Sequence, residues 1–351
     1  MKASSRSLRI EPLKAVHLSW LQAADQNLQL PRLQGLLLRT WLGQAERLFP
    51  GLLLNRQPLA LVASEHQCLR SLLLMQPHNR KASCWRLELQ TLTPPTEHSE
   101  GQLTRELLKL ALTGGHTQAH SWVVRCNAGD AVQLGILREL GFQPIRTLRR
   151  WQRPSAATTT QANPWPQGLS WVPINRQSAP LLWALDQAST TSHQRQLVDR
   201  HPVDLLDQAG MGSGVLITSG QDSKHGGPPV ALAGLVRQQR SDAEQMFEVL
   251  RGPAWDQRFG AALPAVLNQL QQQAPQATLV CNSDDSALAH HIDDLGWRSL
   301  DDDLLLGRSL WRRQMPPRLL QATRPLESML GRLQPQQPPL PTPVLGRRCQ
   351  P

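Results

Sequence analysis

The chain has no Tyr and only 4 Phe among 351 residues, although it has 11 Trp. A platform that stacks successive bases of a single strand draws on several aromatic types, so this composition argues against one and leaves Trp to serve only in part. Cysteine is sparse as well. Cys68, Cys84, Cys126, Cys281 and Cys349 are odd in number, widely separated and never spaced as Cys-x-x-Cys. That excludes a disulfide framework and a cysteine zinc site, and it suits a reducing compartment. Long apolar runs are missing too: "LQGLLLRTWLG" and "LRSLLLMQ" are interrupted by Arg and fall short of the ~20 residues a spanning helix needs. No basic-then-apolar leader opens the sequence. The expectation is a soluble, cytoplasmic protein with no metal and no membrane partner.

The length favours two domains of ordinary size, each able to bury a core. The net charge of +10 is unevenly spread, since residues 1–152 carry 19 Lys/Arg against 10 Asp/Glu whereas residues 153–312 carry 12 against 16. A basic first half suits an acidic or nucleic-acid-linked partner. The alternative is that these Arg are scattered over a solvated surface rather than gathered in a patch.

What the sequence does contain is an echo. "VRCNAGDAVQLGILRELGF" and "LVCNSDDSALAHHIDDLGW" align without a gap, so that Cys126, Asn127, Asp130, Leu140 and Gly141 fall on Cys281, Asn282, Asp285, Leu295 and Gly296, with Phe142 on Trp297. A Gly just past a helix is common, and Leu-Gly-aromatic alone means little. The matched Cys-Asn pair is harder to attribute to chance. Further landmarks coincide: Pro12 with Pro173, Asp25-Gln26 with Asp186-Gln187, and Glu88 with Glu248. These matches point to an internal duplication.

Periodicity fills in the halves. The first reads as the strand "SLRIEPL", a helix over roughly 32–48, strands at "LALVAS", "CLRSLLLMQ" and "CWRLELQTL", a helix "QLTRELLKLAL", the strand "SWVVRC", the echoed helix and the strand "IRTLRRWQ". The second follows the same late order through "QMFEVLR", "FGAALPAVLNQLQQQ" and "ATLVC" to "LLLGRSLWRR". Between them lies "RPSAATTTQANPWPQG", and the end is Pro-rich. The predicted organisation is 1–152, a linker 153–168, a second domain 169–315 and an extended tail 316–351 that docks a protein partner.

This order, with a strand entering a Gly-containing turn and a helix, resembles the GCN5-related N-acetyltransferase (GNAT) superfamily over roughly 8–152 and 169–312. The resemblance implies an α/β fold of two tandem acetyltransferase-like domains, each a central mixed sheet flanked by helices. In that family a Gln/Arg-x-x-Gly-x-Gly/Ala turn receives the pyrophosphate of an acyl-coenzyme A. "QRFGAA" matches it with Gln257, Gly260 and Ala262. The resemblance assigns cofactor binding to Leu250, Arg251, Gln257, Arg258, Phe259, Gly260, Ala261 and Ala262. Small residues let the backbone approach the phosphates, and the amides and dipole of a helix start meet negative charge. The first copy, "HSEGQL", keeps Gly101 but has His98 first and Leu103 last, with Glu97 and Glu100 nearby. It reads as degenerate, with Leu103 crowding the phosphates.

Many family members carry a Glu on the strand before this turn that takes a proton, directly or through water, from the amine nucleophile. Glu248 matches it, and burial on an apolar strand would raise its pKa towards that of a general base. The competing reading is a surface Glu on an alternating strand. The Tyr that protonates the departing thiolate in many members has no counterpart, because Leu137 and Ile292 stand there. His290 and His291, with Cys281 at the strand end, are the nearest titratable substitutes in the second copy, the two His against the reading of a solvated helix face. Cys84 and Cys126 read as buried thiols, not nucleophiles. The implied reaction is acyl transfer from acetyl-coenzyme A, or another acyl-coenzyme A, to an unidentified amine by the C-terminal half. The rivals are a non-catalytic scaffold of the same fold and an aminoacyl-tRNA-dependent transferase.

Overall fold

Most of the elements expected from periodicity form, and of the helix expected over 32–48, residues 39–48 lie outside the described residues. The computed structural model describes residues 8–21, 30–38, 58–94, 99–114, 119–154, 165–218, 228–238 and 245–310, all within one compact unit, Met1–Leu310. The Pro-rich tail, Asp25-Gln26, Glu97, His98 and most of the linker lie outside the described residues. In the first half, β1 (Arg9–Pro12) leads through a 3-10 turn to helix α1 (30–38), then β2 (Leu59–Glu65), β3 (Cys68–Pro77) and β4 (Cys84–Thr91). Helix α2 (Glu100–Thr113), β5 (Ser121–Asn127), α3 (Ala131–Glu139) and β6 (Gln143–Gln152) complete it.

The second half opens with β7 (Leu169–Val172) and three short helices, α4 (Ala179–Ser189), α5 (Ser192–Val198) and α6 (Pro202–Leu205). It continues through β8 (Gly214–Thr218), β9 (Ala231–Gln238), β10 (Met246–Arg251), α7 (Gln257–Gln273), β11 (Thr278–Asn282) and α8 (Ser286–Asp294). A two-residue β12 (Arg298–Ser299), which periodicity did not predict, precedes β13 (Asp303–Ser309).

All these strands join one 13-stranded mixed sheet of order β1-β2-β3-β4-β5-β13-β6-β11-β10-β9-β8-β7, with β12 on β6. Strands β1 to β4 pair antiparallel and β4 runs parallel to β5. Strands β7 to β11 repeat this pattern. At the centre the halves exchange their last strands: β13 lies antiparallel on β5, and β6 lies antiparallel on β11. The register obeys the duplication. Cys126 faces Leu304 while Cys281 faces Arg149, and residues 126 and 281 are as far apart in sequence as 149 and 304. The internal repeat is therefore a pseudo-two-fold of one shared sheet.

Each face of the sheet is covered. Helix α7 presents Phe259, Ala262, Leu263, Val266, Leu267 and Leu270 at three- and four-residue spacing, all buried, which is the apolar stripe a helix needs to lie on a sheet. Each large member contributes about 1.5–3 kcal/mol by leaving water. With α8 it covers β8 to β11 on one face, and α4 and α6 cover the other. In the first half α2 and α3 lie on one face and the 3-10 turn with α1 on the other. Helix α5 crosses the midline: its Val198 packs with Cys84 and Val123 of the first half.

Candidate active site

The repeated motif that marks the duplication is a set of helix ends and core contacts. Asp130 caps α3 by accepting from the Gln133 amide at 2.9 Å, and Asp285 caps α8 by accepting from the Leu288 amide at 3.0 Å. Gly141 and Gly296 follow the two helices at φ 83° and 79°, where a side chain would be strained. Cys126, Cys281, Phe142 and Trp297 are buried in the two cores. Burial pushes the Cys84 and Cys126 thiols up to about 12 and Cys281 up to about 11, so none of the three is a poised thiolate.

Glu248 points inward. Its residue is 2% exposed, so the surface reading of this strand position does not hold. It accepts hydrogen bonds from Arg146 of β6 and from the amide nitrogen of Gln238 on β9. The Gln238 amide oxygen in turn accepts from Arg125 of β5 at 3.2 Å, which fixes the orientation of that amide. Burial works to raise the pKa of Glu248, but the charges of Arg146, Arg200 and Arg125 outweigh it and hold the carboxyl below its ordinary value. The rise expected from desolvation alone is thus overturned by cations from both halves, Arg146 and Arg125 of the first and Arg200 of the second. Glu88 occupies the corresponding place in the first half: Leu87 faces Val124 as Phe247 faces Leu279. It turns instead towards α1, where Arg32 donates to it at 2.7 Å.

Glu248 lines a cavity of ≈ 80 Å³ at the junction of the halves. The turn after β3 contributes His78, strands β4 and β5 contribute Arg86, Glu88 and Arg125, and α4 and the segment after α5 contribute Asp186 and Arg200. Arg200 donates to Asp186 at 2.9 Å. Burial, followed by the charges of Arg200 and Arg86, pushes His78 down to about 3, so it is neutral at physiological pH. Sequence reasoning did not assign Arg125, Arg146, Asp186 or Arg200 to a site. The one signal was the repeated Asp-Gln landmark, which places Asp186 and Gln187 on this wall.

Strand β10 runs from Glu248 directly into the turn that precedes α7. Gly252 to Arg258, with Leu185, Ala231 and Leu232, line an open cleft there. Gln257, Arg258 and Ala261 are exposed, whereas Leu250, Phe259 and Ala262 are buried in the cores. Gly260 packs against an indole: a Cβ at this position would lie 3.0 Å from Trp255 Cζ2. The amides expected to be free are partly taken. Asp256 caps α7 by accepting from the Arg258 amide at 2.8 Å and pairs with the Arg258 guanidinium at the same distance. This pairing holds the Asp256 carboxyl below its ordinary range. Arg251 is clamped by Asp285, which accepts at 2.6 and 2.5 Å, and it lies 5.3 Å from the Trp255 ring centre.

The first copy differs from expectation in one respect. Leu103 is fully buried in the core of its half, the counterpart of Ala262, so it fills volume beneath the sheet instead of crowding a phosphate. Gly101 lies where an added Cβ would sit 3.4 Å from Ile136 and 3.5 Å from Val132, so its smallness serves the contact with α3. Leu137 and Ile292, at the position of the family's acid, are both fully buried. Of the two His on α8, His290 is exposed. His291 packs 4.5 Å from the Trp255 ring and its Nδ1 lies 2.9 Å from the Ala287 carbonyl. A carbonyl only accepts, so Nδ1 carries the proton and Nε2 is left open towards Gly260.

The solved structures this chain resembles include several described as acetyltransferases of the GCN5-related (GNAT) type and others of unknown function. One is such an enzyme from Sphaerobacter thermophilus, 11% identical over 76% of this chain and 85% of its own, with a TM-score of 0.45. A tandem GNAT protein from the clavulanic acid biosynthesis pathway is 12% identical over 86% of this chain and 98% of its own, with a TM-score of 0.48. An acetyltransferase from Colwellia psychrerythraea is 9% identical over 86% of this chain and 100% of its own, with a TM-score of 0.41. At such identities the likeness is one of outline and says nothing about which residues act. No family model and no curated protein matches the chain. Among the described residues no group of three or more His, Cys, Asp or Glu could hold a metal ion, and no helix is long and apolar enough to cross a membrane.

Proposed function

We propose that the C-terminal half, 169–315, transfers an acyl group from an acyl-coenzyme A to an amine, with the N-terminal half, 1–152, as its non-catalytic partner. The observation that supports this reading is the continuity of β10, which carries Glu248 in the central cavity at one end and opens into the turn-lined cleft at the other. The backbone of Gln257 to Ala261 and the side chain of Arg258 would hold the diphosphate, and the cofactor would supply the activated acyl group. Gly260 and the exposed helix start fit such a ligand. The Asp256 carboxylate does not, and it must give up the Arg258 amide. Glu248, ionised at neutral pH, is the residue assigned to receive the amine's proton, although it already accepts from Arg146 and Gln238.

A second reading, a binding protein of the same fold, is favoured by one observation: the acid's position is buried apolar core in both halves. Calorimetric titration of the full chain with acetyl-coenzyme A, followed by an acceptor screen, separates the two. Binding together with transfer that Glu248→Gln slows by about 10²–10⁴ supports the enzyme. Binding without transfer to any amine favours the binding protein, and no binding removes both cofactor roles. Transfer from charged tRNA rests on the basic first half alone, and its mark would be tRNA binding that weakens steeply with salt.

A further inference from the structure

We propose that the central cavity binds a compact carboxylate and, resting on the proposed acyl transfer, that this carboxylate belongs to the amine acceptor. The first support is charge. Five arginines line the cavity, Arg86, Arg125, Arg146, Arg200 and, at its exposed rim, Arg195, against the acids Asp186, Glu248 and Glu88, the last already paired with Arg32. His78 is neutral and adds nothing to either side. The walls therefore carry an excess of positive charge that a bound anion would balance, in surroundings where water screens weakly.

The second support is an unmet donor. Arg146 gives Nη2 to Glu248, but its Nε is buried and has no hydrogen-bond partner. A buried guanidinium donor without an acceptor is costly, and a carboxylate is the planar acceptor that matches a guanidinium edge. The third is size and wall character. The cavity of ≈ 80 Å³ has room for a handful of waters, at about 10–15 Å³ each on this measure, or for one small organic ion. Val123, Val198 and Leu305 give the wall an apolar part, which suits a carbon-bearing anion better than inorganic phosphate. Arg195 of α5 is exposed at the rim, its guanidinium tethered by the Gln187 and Thr190 carbonyls at 2.6 and 3.0 Å.

The walls come from both halves, so the exchanged strands create a site that neither half has alone. Arg86, Arg125 and Arg146 belong to the basic first half, which gives part of its charge excess a use inside the molecule.

The test uses the full chain without any coenzyme A. Acetate, malonate, succinate and inorganic phosphate are titrated by calorimetry and by thermal melting, at ionic strength held constant with sodium chloride. The expected result is saturable binding and a raised melting temperature with at least one carboxylate, at higher affinity than phosphate. The double variant Arg146→Gln/Glu248→Gln, which leaves no lone buried charge, should weaken that binding by at least about tenfold, equal to about 1.4 kcal/mol. Arg105→Gln, on the surface against Glu139, should leave it unchanged. No saturable binding of any carboxylate by the unaltered chain, unchanged affinity in a folded double variant, or tighter binding of phosphate would overturn the proposal. The acyl transfer is judged separately: carboxylate binding without transfer sinks only the enzyme reading, and transfer to amines that lack a carboxylate, with no carboxylate bound, sinks only this one.

Discussion

Leu148 of β6 and Asp303 of β13 face each other in the sheet, and they are the same position of the two sequence repeats. The pseudo-two-fold passes through this pair. One copy places an apolar side chain there, fully buried, and the other an acid that is 3% exposed with Arg150 3.7 Å away. The duplicated halves have diverged at their own axis while keeping the register.

Because each half lends its last strand to the other, neither half closes its own sheet. Residues 1–154 expressed alone should leave β5 without β13 and expose an unpaired strand edge, giving aggregates or self-association on size-exclusion chromatography. Co-expression with residues 165–310 should restore a one-to-one complex. A stable monomeric first half with native-like dispersion would refute the exchange.

Asp256 puts a carboxylate where the proposed diphosphate would bind. Asp256→Ala should cost about 1 kcal/mol of stability through the lost cap. It should also strengthen acyl-coenzyme A binding by up to about 1 kcal/mol, roughly fivefold, by removing a like charge beside the helix start. Calorimetry on both proteins decides it, and an unchanged or weaker affinity would place the diphosphate elsewhere.

Gly260→Leu forces a side chain against Trp255. Acyl-coenzyme A affinity should drop by at least about tenfold, together with a lowered melting temperature from overpacking. Gly101→Leu should lower stability by crowding Ile136 and Val132 while changing affinity much less. Equal affinity losses would mean two working sites.

His78 gives the fold a pH dependence. Its folded pKa of about 3 lies below the ordinary 6.5, so in between the unfolded chain binds a proton that the folded chain refuses. The contribution is complete above pH 6.5 and shrinks as pH falls towards 3, by at most about 1.4 kcal/mol per unit. Urea denaturation at pH 6.5 and pH 5, a window above the ordinary carboxylate range, should show a smaller stability loss for His78→Gln than for the parent. Parallel behaviour of the two proteins would mean that His78 is not kept neutral.

The sequence by itself determined what is local. The matched positions Asp130 and Asp285, Gly141 and Gly296 as helix exits, the helix of α7 and the late strand order were legible because helix exits and periodic spacing act over a few residues. The inward place of Glu248 was one of two readings, since alternation along a strand does not say which face is covered. Only the tertiary structure decided which strands pair across the midline, and with them the cavity, whose Arg146 and Glu248 lie 102 residues apart. The lowered pKa of Glu248 follows largely from that pairing, because Arg146 and Arg125 brought from the other half join Arg200 of its own half in reversing the effect of burial. The direction of Leu103 was decided the same way: a pattern places it in a turn, but the rotation of α2 against its own sheet turns it into the core.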